Sequence, residues 1–132
     1  MKNILIIGQK SKLAFENLKK INQKRKNKTL EDYIKLISLN KKRIIKENKK
    51  DVKNLKRHNV LDRLILNEKK IDAIINSINE IKKFPNPIGK VLESWKGKNK
   101  LNIKRVTTPI GVIGIIYESR PNVTADVSAL CL

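Results

Sequence analysis

Cysteine, histidine, aromatic residues and long apolar runs are all scarce in this chain, and each scarcity removes a class of protein. A single cysteine, Cys131, excludes a disulfide framework and a cysteine-rich zinc site. The one histidine, His58, has no cysteine or second histidine to share a metal with and reads, with Asn59, as a solvated turn. The longest apolar stretches, Ile4 to Ile7 and Ile110 to Tyr117, fall far short of the roughly 20 residues that a membrane-spanning helix needs. The opening Met1-Lys2-Asn3 has a signal-like charge, but too few apolar residues follow for a secretory core and no small-residue cleavage site comes after them. The expectation is a cytoplasmic protein with no membrane contact. Aromatics are 4% and hydrophobic residues 39% of 132 residues, enough for one modest domain with a small core.

Lysine is plentiful. The chain has 31 Lys+Arg against 12 Asp+Glu, a formal charge of +19. From Leu101 onward it is almost neutral, with Lys104, Arg105 and Arg120 against Glu118 and Asp126, so nearly all of the excess lies in the first hundred residues. These cations are mostly Lys, are spread around the water-facing positions, and have almost no aromatics between them. Single-strand binders need stacking platforms and base readers favour Arg, so nucleic acid is not the expected partner. Lys, Asn and Ile together make up close to half of the chain, and all three have A/T-rich codons. Drifted composition with solvated lysine faces accounts for the charge; a polyanion-binding surface is the other reading.

The first two-thirds reads as helices. Leu13, Leu18 and Ile21 share one helical face, the polar run from Asn22 to Lys28 interrupts it, and Thr29 is placed to cap the next helix. Leu30, Ile34, Ile37, Ile44, Ile45, Val52 and Leu55 continue the helical spacing, with a break near Asn40. Asn67 caps a third pattern, where Ile71, Ile74, Ile75, Ile78 and Ile81 follow the i, i+3, i+4, i+7 template until Pro85 and Pro87 stop it. After Gly89, Val91 to Trp95 and Leu101 to Val106 alternate around Lys96-Gly97-Lys98-Asn99 and predict a β-hairpin. Ile110 to Tyr117 reads as a strand buried on both faces, and Val123 to Leu132 as a helix after a polar turn. The class is therefore α/β: residues 1–90 helical, 91–108 a hairpin, and 109–132 the first strand, turn and helix of an incomplete parallel-sheet domain. The last helix has no stop signal and the strand before it has no parallel partner in the chain, which predicts a piece of a larger α/β protein.

No nucleophile–base set can be assembled. Cys131 has no neighbouring histidine and reads as a packed helix residue. Gly111 and Gly114 fall at the start of and inside the predicted strand, where a dinucleotide fingerprint would put its glycines after one, and Gly8, Lys10 and Ser11 fail the phosphate-loop spacing. The turn after the strand is the informative place, because ligands of open α/β sheets collect beyond the carboxyl ends of strands. There Arg120 could clamp a carboxylate or phosphate, or make a surface ion pair. Asn122 could donate to a developing oxyanion, or simply cap its helix.

The run Arg105-Val106-Thr107-Thr108-Pro109-Ile110-Gly111-Val112-Ile113-Gly114-Ile115-Ile116-Tyr117-Glu118-Ser119-Arg120-Pro121-Asn122-Val123-Thr124 closely resembles a segment of the gamma-glutamyl phosphate reductases, within the aldehyde dehydrogenase superfamily. Asp126 to Leu132, Leu61 to Leu64, Leu66 and Pro87 to Val91 extend the resemblance. It implies the amino-terminal part of an aldehyde dehydrogenase-like fold. It also implies NADP(H)-dependent reduction of L-glutamate 5-phosphate to L-glutamate 5-semialdehyde in proline biosynthesis, in a homo-oligomer. In the family a cysteine attacks the acyl phosphate, phosphate leaves, and hydride reduces the resulting thioester. Carried over, Asn122 becomes the oxyanion donor, Tyr117, Glu118 and Ser119 line the cofactor cleft, Arg120 contacts substrate, and Val91 to Val106 belong to an oligomerisation hairpin. Cys131 matches a helix position and not the nucleophile, so the expectation is that these 132 residues alone are inactive. The alternative from the charge is a non-enzymatic basic helical module that binds nucleic acid or another polyanion.

Overall fold

The computed structural model describes residues 2–55, 61–118 and 120–132; the turn expected at His58 and Asn59 lies outside the described residues. Six helices and one antiparallel hairpin are found among them: α1 (Lys2–Leu18), α2 (Gln23–Leu39), α3 (Lys41–Lys53), α4 (Leu61–Leu64), α5 (Glu68–Lys83), β1 (Val91–Lys96), β2 (Asn102–Val106) and α6 (Pro121–Leu130). They group into two compact units, one of Met1–Ile21 with Pro85–Gly114 and one of Asn22–Phe84 with Ile115–Leu132.

The second unit carries the core. On α5 the predicted stripe is the buried one, with Ile71 1% and Ile78 0% exposed, each worth roughly 1.5–3 kcal/mol of transfer free energy. Leu30 and Ile37 of α2, Leu66, and Ala125 and Ala129 of α6 complete the cluster. The two alanines let the α6 backbone approach α5 closely. Asn67 caps α5 as its spacing predicts, its side chain accepting from the Lys70 N–H at 2.8 Å, and the helix ends at Phe84 before Pro85. Lys41 reaches Asp72 from α3 at 2.7 Å and Lys82 reaches Glu31 at 3.3 Å, tying the polar margins of the helices together.

One helix boundary in this region differs from the sequence reading. The break at Asn40 is present, but α2 begins at Gln23 and not near Thr29, because the Asn22 side chain caps it by accepting from the Arg25 N–H at 2.9 Å. The Lys/Arg run that looked like a connector then propagates as helix, since straight-chain basic residues lose little rotamer freedom there. Thr29, nearly two turns in, turns its hydroxyl back onto the Arg25 carbonyl at 3.0 Å. Cys131 is also placed differently: it is exposed at the carboxyl cap of α6, and Ala125 and Ala129 take the buried face.

In the first unit, β1 and β2 pair antiparallel with Trp95 opposite Ile103 and Val91 opposite Val106, with an irregularity between Val91 and Glu93. The Gly97 N–H closes the loop on the Leu101 carbonyl at 2.8 Å. Asn99 and Lys100 take left-handed φ values of 66° and 63° at its tip. Thr107 clamps the open end, its hydroxyl accepting from the Lys90 N–H at 2.9 Å.

The strand expected over Ile110 to Tyr117 is not formed. Residues 107–118 have no regular secondary structure, and Ile110 is 89% and Ile116 103% exposed. A strand exists only as a ladder, and among the described residues no segment pairs with this one. The apolar run records a burial that nothing in these residues supplies.

Candidate functional site

The turn from Tyr117 to Asn122 is held on three sides. The Tyr117 hydroxyl lies 2.8 Å from the Thr124 hydroxyl, seven residues on, which folds the turn against the first turns of α6. Glu118 pairs with Arg63 of α4 at 2.7 Å. The Glu118 carbonyl accepts from the Arg120 N–H, and the Arg120 carbonyl accepts from the Val123 N–H at 3.1 Å, opening α6 with Pro121 in its first turn. Ser119 lies outside the described residues.

Arg120 and Asn122 therefore both sit at the amino end of α6. Arg120 is the residue before the helix in extended backbone, φ −98° and ψ 109°, and no side-chain cap bond is made there. Asn122 is inside the helix, so it does not cap it; its amide reaches Asp126, one turn on, at 3.4 Å. Nor does Arg120 make an ion pair with any described residue. The two structural roles weighed from the sequence are thus not the ones these side chains take here.

Two open clefts flank this end of α6. One, of about 580 Å³, lies against α3 and is lined by Arg43, Glu47, Asn48, Tyr117, Arg120 and Thr124 among others. The other, of about 430 Å³, lies against α4 and α5 and is lined by Arg63, Lys70, Ser77, Arg120, Asn122 and Asp126 among others. Arg120 borders both.

Residues that sequence reasoning passed over build the support. Asn48, 6% exposed in the middle of a lysine-rich helix, donates its amide to the Leu64 carbonyl at 2.9 Å and accepts from the Leu66 N–H at 2.7 Å. It fixes the connection from α4 to α5 and, through α4, the base from which Arg63 holds Glu118. Asp126 accepts from Ser77 of α5 at 3.0 Å. Burial pushes the Tyr33 hydroxyl above its ordinary pKa; the Ser128 hydroxyl beside it works against this, and the negative charge of Asp126 adds to it. Among the described residues no cluster of His, Cys, Asp and Glu is arranged to hold a metal ion, and no helix is long and apolar enough to cross a membrane.

No family model matches the chain. Individual proteins do. It is 44% identical over 130 residues to the gamma-glutamyl phosphate reductase of Brucella suis, covering 96% of this chain and 31% of that protein. With the enzyme of the same name from Desulforamulus reducens it is 38% identical over 136 residues, covering 100% of this chain and 33% of the relative. Among solved structures, the gamma-glutamyl phosphate reductase of Thermotoga maritima superimposes with a TM-score of 0.87 at 35% identity, over 95% of this chain and 31% of that one. The Saccharomyces cerevisiae enzyme gives 0.86 at 28% identity, over 93% and 32%. The chain spans about a third of the length of the curated relatives it matches. By sequence and by fold together, the chain is similar to about a third of gamma-glutamyl phosphate reductase.

Proposed function

We propose that this chain supplies the amino-terminal part of a gamma-glutamyl phosphate reductase, an oxidoreductase that converts L-glutamate 5-phosphate to L-glutamate 5-semialdehyde with NADPH in proline biosynthesis. The observation that carries the reading is the joint one: near-complete coverage of the chain by relatives of that name, and an ordered Tyr117–Asn122 turn that presents Arg120 and Asn122 at one helix end.

Each residue of the turn has a task in this chemistry. Attack on the acyl phosphate puts negative charge on the γ-carbonyl oxygen, and a preorganised amide N–H₂ stabilises such an oxyanion. Asn122 supplies it: its bond to Asp126, at 3.4 Å, is longer than an ordinary N–H···O bond and gives way at small cost. Arg120, which has no carboxylate partner among the described residues, offers its guanidinium fork to an anionic group of the substrate. The NADPH, when bound, supplies a hydride. Tyr117 fits that group, since the residue is 46% exposed while its hydroxyl is anchored to Thr124, which restrains the ring's orientation. Glu118 lines the same edge, where Arg63 sets its position; the resemblance gives Ser119 the same task. Cys131, an exposed cap residue at the far end of α6, is not the nucleophile in this reading. The 132 residues by themselves do not turn over, the hairpin β1–β2 serves oligomerisation as in the superfamily, and the enzyme is cytoplasmic.

A graft tests this. With these 132 residues in place of the equivalent third of the Thermotoga maritima enzyme, the chimera is expected to restore growth without proline to a bacterium lacking the reductase, and Asn122→Ala in the graft is expected to abolish it. A folded chimera that never supports growth overturns the reading.

A further inference from the structure

Among the described carboxylates, Asp51, Asp62, Glu68 and Asp126 form no ion pair. Of these, Asp126 is the partly buried one. Its two oxygens are held instead by neutral donors, the Ser77 hydroxyl at 3.0 Å and the Asn122 amide at 3.4 Å, and the Tyr33 hydroxyl stands near enough to feel its charge. These donors fix the carboxylate's orientation and leave its negative charge uncompensated. A charge half-withdrawn from water is costly unless something pairs with it.

Asp126 lines the cleft of about 430 Å³ between α5 and α6. Of the other charges there, Asp62 is exposed and forms no ion pair. Arg63 is engaged by Glu118. Lys70 donates to the Asp62 and Ile65 carbonyls at 2.8 and 2.7 Å. Arg120 remains, a guanidinium with no carboxylate partner among the described residues. One cleft thus offers a half-buried, oriented carboxylate and a guanidinium with no carboxylate partner among the described residues, which do not satisfy each other, with the Asn122 amide beside them.

We propose that this cleft receives the α-amino acid head of the substrate, Asp126 accepting the α-ammonium and Arg120 the α-carboxylate. The assignment rests on the reading of the site as that of a glutamyl phosphate reductase and names what the reading leaves open, the group that selects an amino acid over a simple diacid. The Asn122 amide and the Asp126 carboxylate are 3.4 Å apart, and with hydrogen bonds of about 2.9 Å to each the ammonium and the γ-carbonyl oxygen of one glutamyl chain reach both. A substrate anchored at Asp126 therefore brings its γ-carbonyl to Asn122 without leaving α6. Ser77 is the positioning residue, orienting the carboxylate from α5.

The test uses the chain itself and L-glutamate as probe, followed by ¹H–¹⁵N NMR, with glutarate, which lacks the ammonium, as comparison. L-Glutamate is expected to shift the amide signals of Ser77, Asn122 and Asp126 and to bind more tightly than glutarate. Asp126→Asn, nearly isosteric and judged folded by retained signal dispersion, is expected to weaken L-glutamate about tenfold or more and leave glutarate unchanged. Ser77→Ala is expected to narrow the preference without removing it, and Arg120→Gln to weaken both ligands. If the chain does not bind L-glutamate, or binds it equally well with Asp126→Asn, the head-group site is overturned. The graft separates the two claims: growth with no L-glutamate binding removes this site and leaves the reductase reading standing, whereas no growth with L-glutamate selectivity intact does the reverse.

Discussion

Arg63 and Glu118 are 55 residues apart in the chain and 2.7 Å apart in space, and their pairing ties the turn before α6 to the short helix α4. Both side chains are 51% exposed, so water and salt screen the attraction. The pair sets geometry more than it adds stability.

Arg63→Gln is accordingly expected to lower unfolding stability by less than about 1 kcal/mol. Hydrogen exchange at the Val123 amide, which closes the turn on the Arg120 carbonyl, is expected to rise well beyond what that loss implies. Unchanged exchange at Val123 would show that Glu118 needs no partner.

Asn48 is the opposite case, buried and doubly bonded to backbone. Asn48→Ala leaves the Leu64 carbonyl and the Leu66 N–H without their partner, a cost of about 1–3 kcal/mol for each buried group left unsatisfied. Urea denaturation is expected to place this variant among the most destabilised in the chain, and a midpoint equal to wild type would contradict the burial.

Ile78, 0% exposed on α5, and Leu39, 82% exposed at the end of α2, bracket the hydrophobic term. Ile78→Ala is expected to cost about 2–5 kcal/mol, whereas Leu39→Ala is expected to stay within about 0.5 kcal/mol of wild type. The same denaturation series reads both.

Tyr33 gives a pH dependence. Burial, helped by Asp126, raises its folded pKa above the unfolded value of about 10. Its contribution is therefore complete below that value and is lost as pH rises through the higher folded one. Absorbance titration of the two tyrosines is expected to show a late phase that Tyr33→Phe removes. Tyr33→Phe is also expected to lessen the fall in stability on the alkaline side.

Lys100 holds a left-handed φ of 63° at the hairpin tip. A lysine there strains its Cβ by roughly 1–2 kcal/mol, part of which Gly recovers before its own chain entropy is subtracted. Lys100→Gly is expected to raise hairpin protection slightly in hydrogen exchange, and lower protection would show that the conformation is not strained.

The parts of the fold that could be read from residue order are those whose signals are local. The five isoleucines of α5, the Asn67 cap and the Pro85 stop lie within a few residues of what they determine, and the hairpin follows from alternation around Gly97. Asn22 outcompeted Thr29 as a cap because either residue type can serve and only the competition decides. Asn48 gave no signal at all, since its partners are the backbone groups of Leu64 and Leu66, 16 and 18 residues away. Of the candidate site, Tyr117 to Asn122 were singled out by their resemblance. The loneliness of Asp126 was not, because Ser77 reaches it from 49 residues upstream.

The uncovered run from Ile110 to Ile116 has a thermodynamic consequence. Much of its apolar surface, that of Ile110 and Ile116 above all, faces water in the folded chain as in the unfolded one, so that part cancels from every difference between the two states. Denaturant slope and heat-capacity change both scale with surface newly exposed on unfolding, and both would be those of a protein shorter than 132 residues. Any polypeptide that paired with this run would enlarge both quantities at once, a signature visible in a calorimeter before the partner's identity is known.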